Sequence, residues 1–364
     1  MSYEQMTSNN LNVRARALGC ALAVGIMALG CGKVTPATTG ADASTATPTS
    51  DAAAKETGPS MAVACADLAK AECDKRVTCT NKINATGAGI VRVFGTMAAC
   101  LTREALQCMA TLSAPDSGHS VSKIEDCVTA YATLSCDDFY ATNVPDACRP
   151  VGTRDNGGAC DYGAQCKTGY CSNVKMALCG ACADAPAVGA SCATSDCARA
   201  QTCDATTTTC QVYGKAGDAC DADDCGYELD CSATGLLATG AKTCQATIDT
   251  LGTACGGTMP LCDSLQGLVC EGTVGMKTCV AQTFVTDGMP CGAVTGGYAS
   301  CTAGGCYTDK GLVGAGETGT CKANAADDAS CDTVSGPGCL LPAKCVVKGG
   351  GTSGKCTVPT GTCG

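Results

Sequence analysis

Three patterns of apolar and polar residues succeed one another along this chain. Residues 17–30 (ALGCALAVGIMALG) form a 14-residue run without charge. That is short for a bilayer span and right for the apolar stretch of a signal peptide. Residues 61–149 carry stripes at helical spacing. Cys65, Leu68, Ala69 and Cys73 share one face of a first helix, and Phe94, Met97, Leu101, Ala105, Cys108 and Leu112 share one face of a second. Ser122-Lys123-Ile124-Glu125 fits a capping box ahead of a third stripe, Ile124, Cys127, Val128, Tyr131 and Leu134, with residues 115–118 as the preceding loop. Beyond residue 150 the stripes stop. Short apolar snatches there are punctuated by Cys and Gly, which predicts hairpins and loops with little regular secondary structure.

The first thirty residues read as a signal peptide, with Arg14 and Arg16 as its positive start. It ends in Met27-Ala28-Leu29-Gly30-Cys31, which resembles a bacterial lipobox. That resemblance implies cleavage after Gly30 and a lipid on Cys31, with the chain held at the membrane. Gly32 stands where Asp often retains a lipoprotein in the inner membrane, so the expected place is the outer membrane of the cell envelope. Residues 31–60 are rich in Thr, Ala, Ser and Pro, and Val34 is the one large apolar residue in 33–60. Such a segment cannot offset its ordering entropy and is expected to be a disordered tether.

Composition changes the picture of the core. The chain has no Trp, 3 Phe, 9 Tyr, 46 Gly and 36 Cys in 364 residues. With so few large side chains to bury, cysteine must serve as the cross-linking system. Zinc scaffolding is disfavoured by a single His, His119, and a single Cys-x2-Cys, Cys179 to Cys182. Past residue 150, 20 Asp/Glu face 12 Lys/Arg, a balance of −8. Without clustered cations such a surface is unsuited to nucleic acid.

The cysteines divide the chain. Eight lie in the helical region: Cys65, Cys73, Cys79, Cys100, Cys108, Cys127, Cys136 and Cys148. Residues 157–363 form an array of six units, about 157–186, 189–213, 217–247, 252–282, 288–323 and 328–358. Unit one holds Cys160, Cys166, Cys171, Cys179 and Cys182. The next five hold four each: Cys192, Cys197, Cys203 and Cys210; Cys220, Cys225, Cys231 and Cys244; Cys255, Cys262, Cys270 and Cys279; Cys291, Cys301, Cys306 and Cys321; Cys331, Cys339, Cys345 and Cys356. Cys363 is left at the end. Five of the six units open with Gly three residues before their first Cys, which suits positive φ. Cys20 is expected to leave with the signal peptide and Cys31 to carry lipid, so 34 cysteines remain, an even number. The odd ones, one in unit one and Cys363, either pair with each other or mark slightly misplaced unit boundaries. Spacing alone assigns no other pairing.

Cys160-x5-Cys166-x4-Cys171, with Gly169-Tyr170-Cys171, and Gly267-Leu268-Val269-Cys270 resemble modules of Cys-rich lipoproteins of gliding Gram-negative bacteria. Those modules are compared with the N-terminal Cys-rich domain of Dickkopf proteins. The resemblance implies a small disulfide-rich fold: a helical Cys-rich domain followed by short loop and hairpin repeats, outside the cytoplasm. It implies no catalytic residue.

Three constellations could carry chemistry. Cys179-Gly180-Ala181-Cys182 has the spacing of a redox pair but lacks the flanking Trp of thioredoxin-like sites. His119, in Ser117-Gly118-His119-Ser120, reads as a solvated loop residue. Asp221, Asp223 and Asp224 form the weak calcium candidate, without the Gly turn and distal Glu of an EF-hand. The expectation is a non-enzymatic, membrane-anchored lipoprotein without cofactor, serving as scaffold or binding element. The alternative is an adhesin, inhibitor or receptor-like module that binds a protein or glycan through variable loops. Each unit is too small to stand on its own core. The array is therefore expected to depend on its disulfides, and the helical region to behave as a separate block.

Overall fold

The computed structural model describes residues 59–363 apart from 173–176, 194–195, 205, 221–223, 234–240, 258, 274, 315 and 349–350. The signal peptide, Cys20, Cys31, nearly all of the tether, Asp221 and Asp223 lie outside the described residues. No helix among the described residues is long and apolar enough to cross a membrane. The fold is small and disulfide-rich, as expected: 17 disulfides join every cysteine from Cys65 to Cys363, across five helices and 18 short strands among the described residues.

The helices are α1 (Met61–Thr78), α2 (Ala88–Phe94), α3 (Met97–Ser113), α4 (Val121–Tyr131) and α5 (Cys136–Tyr140), followed by a 3-10 turn at Asp146–Cys148. The expected three helices are thus five. The second stripe is split: Phe94 closes α2, Gly95 turns the chain at φ 78°, and Thr96 caps α3 by accepting from the Ala99 N–H. The third helix starts earlier than the capping-box reading put it. Its N-cap is Ser120, whose hydroxyl accepts from the Lys123 N–H, and Ser122 already lies inside the helix. The stripes themselves face inward. Cys65 and Leu68 of α1 pack with Cys108, Ile124, Cys127, Tyr131 and Leu134, while Cys73 packs with Ile90, Phe94 and Cys100. Disulfides Cys65–Cys108 and Cys73–Cys100 tie α1 to α3; Cys79–Cys136 and Cys127–Cys148 hold the remaining turns.

All six units share one plan. With Cys179 of unit one set aside, so that Cys182 counts as that unit's fourth, the first cysteine bonds the third and the second bonds the fourth, as in Cys160–Cys171 with Cys166–Cys182 and Cys255–Cys270 with Cys262–Cys279. The third and fourth stand directly opposite each other across an antiparallel hairpin. The hairpins are β2 (Cys171–Ser172) with β3 (Gly180–Cys182), β4 (Gln201–Cys203) with β5 (Cys210–Val212), β6 (Leu229–Ala233) with β7 (Lys242–Ala246), and β8 (Leu268–Thr273) with β9 (Met276–Ala281). In units five and six, β13 (Gly304–Thr308) pairs with β15 (Thr318–Ala323), and β17 (Lys344–Val347) with β18 (Ser353–Thr357). Facing Cβ atoms in such a ladder sit about 4.5–5.5 Å apart with parallel bonds. A disulfide wants about 3.8 Å and converging bonds, so each cysteine of the facing pair bonds outside the hairpin.

The residue before each first cysteine lies against the fourth-cysteine strand. This holds for β1 (Ala159–Cys160), β11 (Pro290–Val294) and β16 (Ser330–Asp332), and for the bridges Ser191↔Thr209, Ala219↔Thr243 and Ala254↔Thr278. Unit five adds β10 (Thr283–Val285), β12 (Gly297–Cys301) and β14 (Gly311–Leu312) to make a six-stranded sheet. The opening glycines at 157, 189, 217, 252 and 288 have φ of 76–92°, and Asp328 takes the same place in unit six at 62°. The N–H of each donates to the carbonyl of its unit's fourth cysteine, 2.7–2.9 Å away.

The array is not detached from the helices; described residues of both belong to one compact unit. Every repeat touches the helical region. Ala164 O accepts from Gly118 N, Ala200 N donates to Ala141 O, and Ala303 N donates to Val91 O. Tyr227 of unit three stacks on Tyr140 with ring centroids 5.1 Å apart. Gln266 of unit four bonds Cys79 O and accepts from Lys82 N. Arg103 of α3 reaches Leu340 O and forks onto Asp327 at the start of unit six. The end of the array then meets its beginning. Tyr162 Oη donates to Pro359 O at 2.6 Å, Gln165 Nε2 to Gly361 O at 2.9 Å, and Cys363 closes a disulfide with Cys179. The two cysteines left over by the repeat count are thus partners.

Candidate functional site

A concavity of about 660 Å³ lies between the helices and units one, two and six. Helices α1, α3 and α4 supply Glu72, Arg76, Glu104, Gln107 and Tyr131; the repeats supply Asp161, Tyr162, Tyr170, Asp196, Arg199 and Lys344. Five of the chain's twelve aromatic residues line it: Phe94, Phe139, Tyr131, Tyr162 and Tyr170. The exposed residues Ala185 and Arg199 belong to its wall, so it opens to solvent beside units one and two.

At its helical end is a charged cluster. Arg76 donates to Glu104 Oε1 at 3.3 Å and lies over the rings of Phe94 and Phe139, 5.5 and 5.4 Å from their centroids. Tyr131 Oη donates to Glu72 Oε1 at 3.1 Å. Burial, with the Glu104 carboxylate beside it, pushes the Glu72 carboxyl up to about 8, so at neutral pH the pair holds a proton. His119 lines the same cavity, half-buried rather than solvated, and its Nδ1 has no hydrogen-bond partner among the described residues. Burial pushes its imidazole down to about 4, keeping it neutral.

A second cleft, about 340 Å³, is lined by Lys82, Asp137, Tyr227, Glu228, Asp249 and Asp263. Lys82 Nζ sits 2.9 Å from both Glu228 and Asp249, so a cation of the chain's own already serves two of its carboxylates. Of the calcium candidates, Asp224 alone is described. It is buried, and its backbone carbonyl accepts from Gly214 N at 2.6 Å. The redox spacing is divided between two bridges: Cys182 is buried and bonds Cys166, while Cys179 is exposed and bonds Cys363. Three sulfurs of a unit approach within 4.8 Å, as in Cys160, Cys166 and Cys182, but as parts of two adjacent disulfides.

The cavity was not legible from the sequence. Its polar residues are scattered from Glu72 to Lys344, and only the closure of the array brings them together. Comparison with family models, curated proteins and solved structures returned no match.

Proposed function

We propose that this chain is a non-enzymatic lipoprotein of the cell envelope, anchored at the outer membrane through lipid on Cys31, whose repeats form a rigid binding scaffold around the helical core. The observation that carries this reading is the disulfide state. All 34 cysteines from Cys65 onward are paired, and a chain so cross-linked belongs to an oxidising compartment. The lipobox-like ending at Cys31, and the likeness to Cys-rich lipoproteins with Dickkopf-like modules, support the anchor and the class. Mass spectrometry of the native protein tests it. The expected N-terminus is a diacylglycerol-modified Cys31, with no free thiol. An uncleaved leader, or an unlipidated protein still held in the membrane in the Cys31→Ser variant, overturns it.

A second reading, a receptor-like, adhesin or inhibitor module acting through its outer loops, is favoured by apolar side chains left bare on the array. In the loops, Val188 is 59% and Leu251 52% exposed. Replacing those loops would abolish binding of a protein partner under this reading and leave it intact under the first.

A further inference from the structure

We infer that the cavity between the helices and units one, two and six is a binding site for a neutral oligosaccharide. The inference rests on the reading of the chain as a binding scaffold and names what it binds. Size is the first argument: about 660 Å³ lies within the usual range for small-ligand sites, about 300–1,000 Å³. The chemistry of the wall is the second. Arg103 and Arg199 are engaged by Asp327 and Asp146. Among the described residues, the side chains of Gln107, Arg149 and Asp196 make no hydrogen bond or ion pair, and Lys344 has one long contact, 3.4 Å to Ala177 O.

That leaves unspent donors of both charged and neutral kinds beside an unspent carboxylate. An anion would meet Asp161, Asp196 and Glu104; a cation would meet Arg149 and Lys344; a lipid chain would strand all of them without partners. A polyol suits the set, because each sugar hydroxyl donates one hydrogen bond and accepts others. The aromatic rings are the third argument. Tyr162 Oη is bound to Pro359 O and Tyr170 Oη to Asp196 O, both at 2.6 Å. The rings are thereby fixed, and they offer apolar surface to the C–H face of a sugar.

The test uses the full-length protein in detergent on a microarray of bacterial envelope glycans, followed by titration calorimetry with the best-retained oligosaccharide. One site per chain is expected. Arg149→Met and Asp196→Asn should each weaken binding about tenfold or more, as loss of a charge-assisted hydrogen bond does. Lys310→Ala, on an exposed turn of unit five, should leave it unchanged. Disulfide mapping of each variant establishes that the fold is intact. Retention of no glycan, or binding that both cavity variants leave unaltered, overturns the inference. Binding lost only when the outer loops are replaced does so too, and favours the loop-module reading over the scaffold. Absence of lipid on Cys31 would sink the anchor and leave the cavity result untouched.

Discussion

Two buried glutamines show how this fold assigns work to single residues. Gln165 is fully buried. Its Oε1 accepts from Asp161 N and Tyr162 N, and its Nε2 donates to Pro115 O in the helical region and Gly361 O at the chain's end. Gln266, 1% exposed, does the same between Cys79, Lys82 and Tyr227. An amide carries two donors and two acceptor sites, so one side chain can satisfy several backbone groups where two segments meet. Gln266→Met keeps the volume and strands the Lys82 N–H, while Cys79 C=O keeps the Tyr227 hydroxyl as donor. A loss of about 1–3 kcal/mol is expected, with faster hydrogen exchange at Lys82. Glu72 gives a second residue-scale outcome. Its unfolded carboxyl ionises near 4.5, whereas the folded one keeps its proton to about 8. Between those values the folded chain binds the extra proton, so this group makes stability fall as pH rises through that window. Glu72→Gln should flatten that slope and raise the urea midpoint at about pH 8 relative to wild type, with little change at about pH 5. A wild-type slope retained in the variant would assign it to another group.

At the scale of elements, what could be read was what local chemistry dictates. Helical stripes and the unit-opening glycines follow from period and backbone torsion, and both are where the sequence put them. A Cβ at Gly252 would meet nothing within 4 Å, so the demand there is torsional alone. Gly252→Ala should cost about 1 kcal/mol through the left-handed backbone. At Gly351, whose Cβ would also be unhindered but whose φ is ordinary, the same change should be nearly neutral in a parallel denaturation. The cap of α4 was misplaced because Ser120 and Ser122 both precede apolar residues and the sequence does not rank them. The structure does. Ser120→Ala is expected to cost about 1 kcal/mol and Ser122→Ala less than about 0.5 kcal/mol, compared by thermal unfolding. The break at Gly95 was hidden because the apolar spacing runs straight across it from Phe94 to Met97. Disulfide connectivity was hidden for a different reason: spacing marks the units, but which cysteines converge depends on the third strand laid against each hairpin.

At the scale of the molecule, the sequence offered an array that could stand apart from the helices, and the cavity and the closure were both out of its reach. Contacts such as Arg103 with Asp327 or Arg92 with Ser264 O join residues more than 150 positions apart, and no local pattern announces them. They also change how the repeats should come apart. Units stacked only on neighbours would open one by one from an end; here each is also fastened to the helices, and the end is fastened to the start. Cys179–Cys363 spans 184 residues. A loop that long restricts an otherwise open unfolded chain by about 5 kcal/mol, and the other 16 disulfides, already shortening the path, reduce this. The double variant Cys179→Ala/Cys363→Ala should therefore lower stability by less than that figure and act locally. Gly361 O and Pro359 O would still meet Gln165 and Tyr162, but as hydrogen bonds to a free chain end, each worth about 1 kcal/mol. Hydrogen exchange should quicken in residues 351–363 and around Gln165. Units three to five, each with two disulfides and its own contacts on the helices, should keep their protection. Exchange unchanged at the chain's end would mean that the two hydrogen bonds suffice and the bridge is redundant. Loss of protection spreading into units three to five would mean that the closure, and not the helical core, holds the array in place.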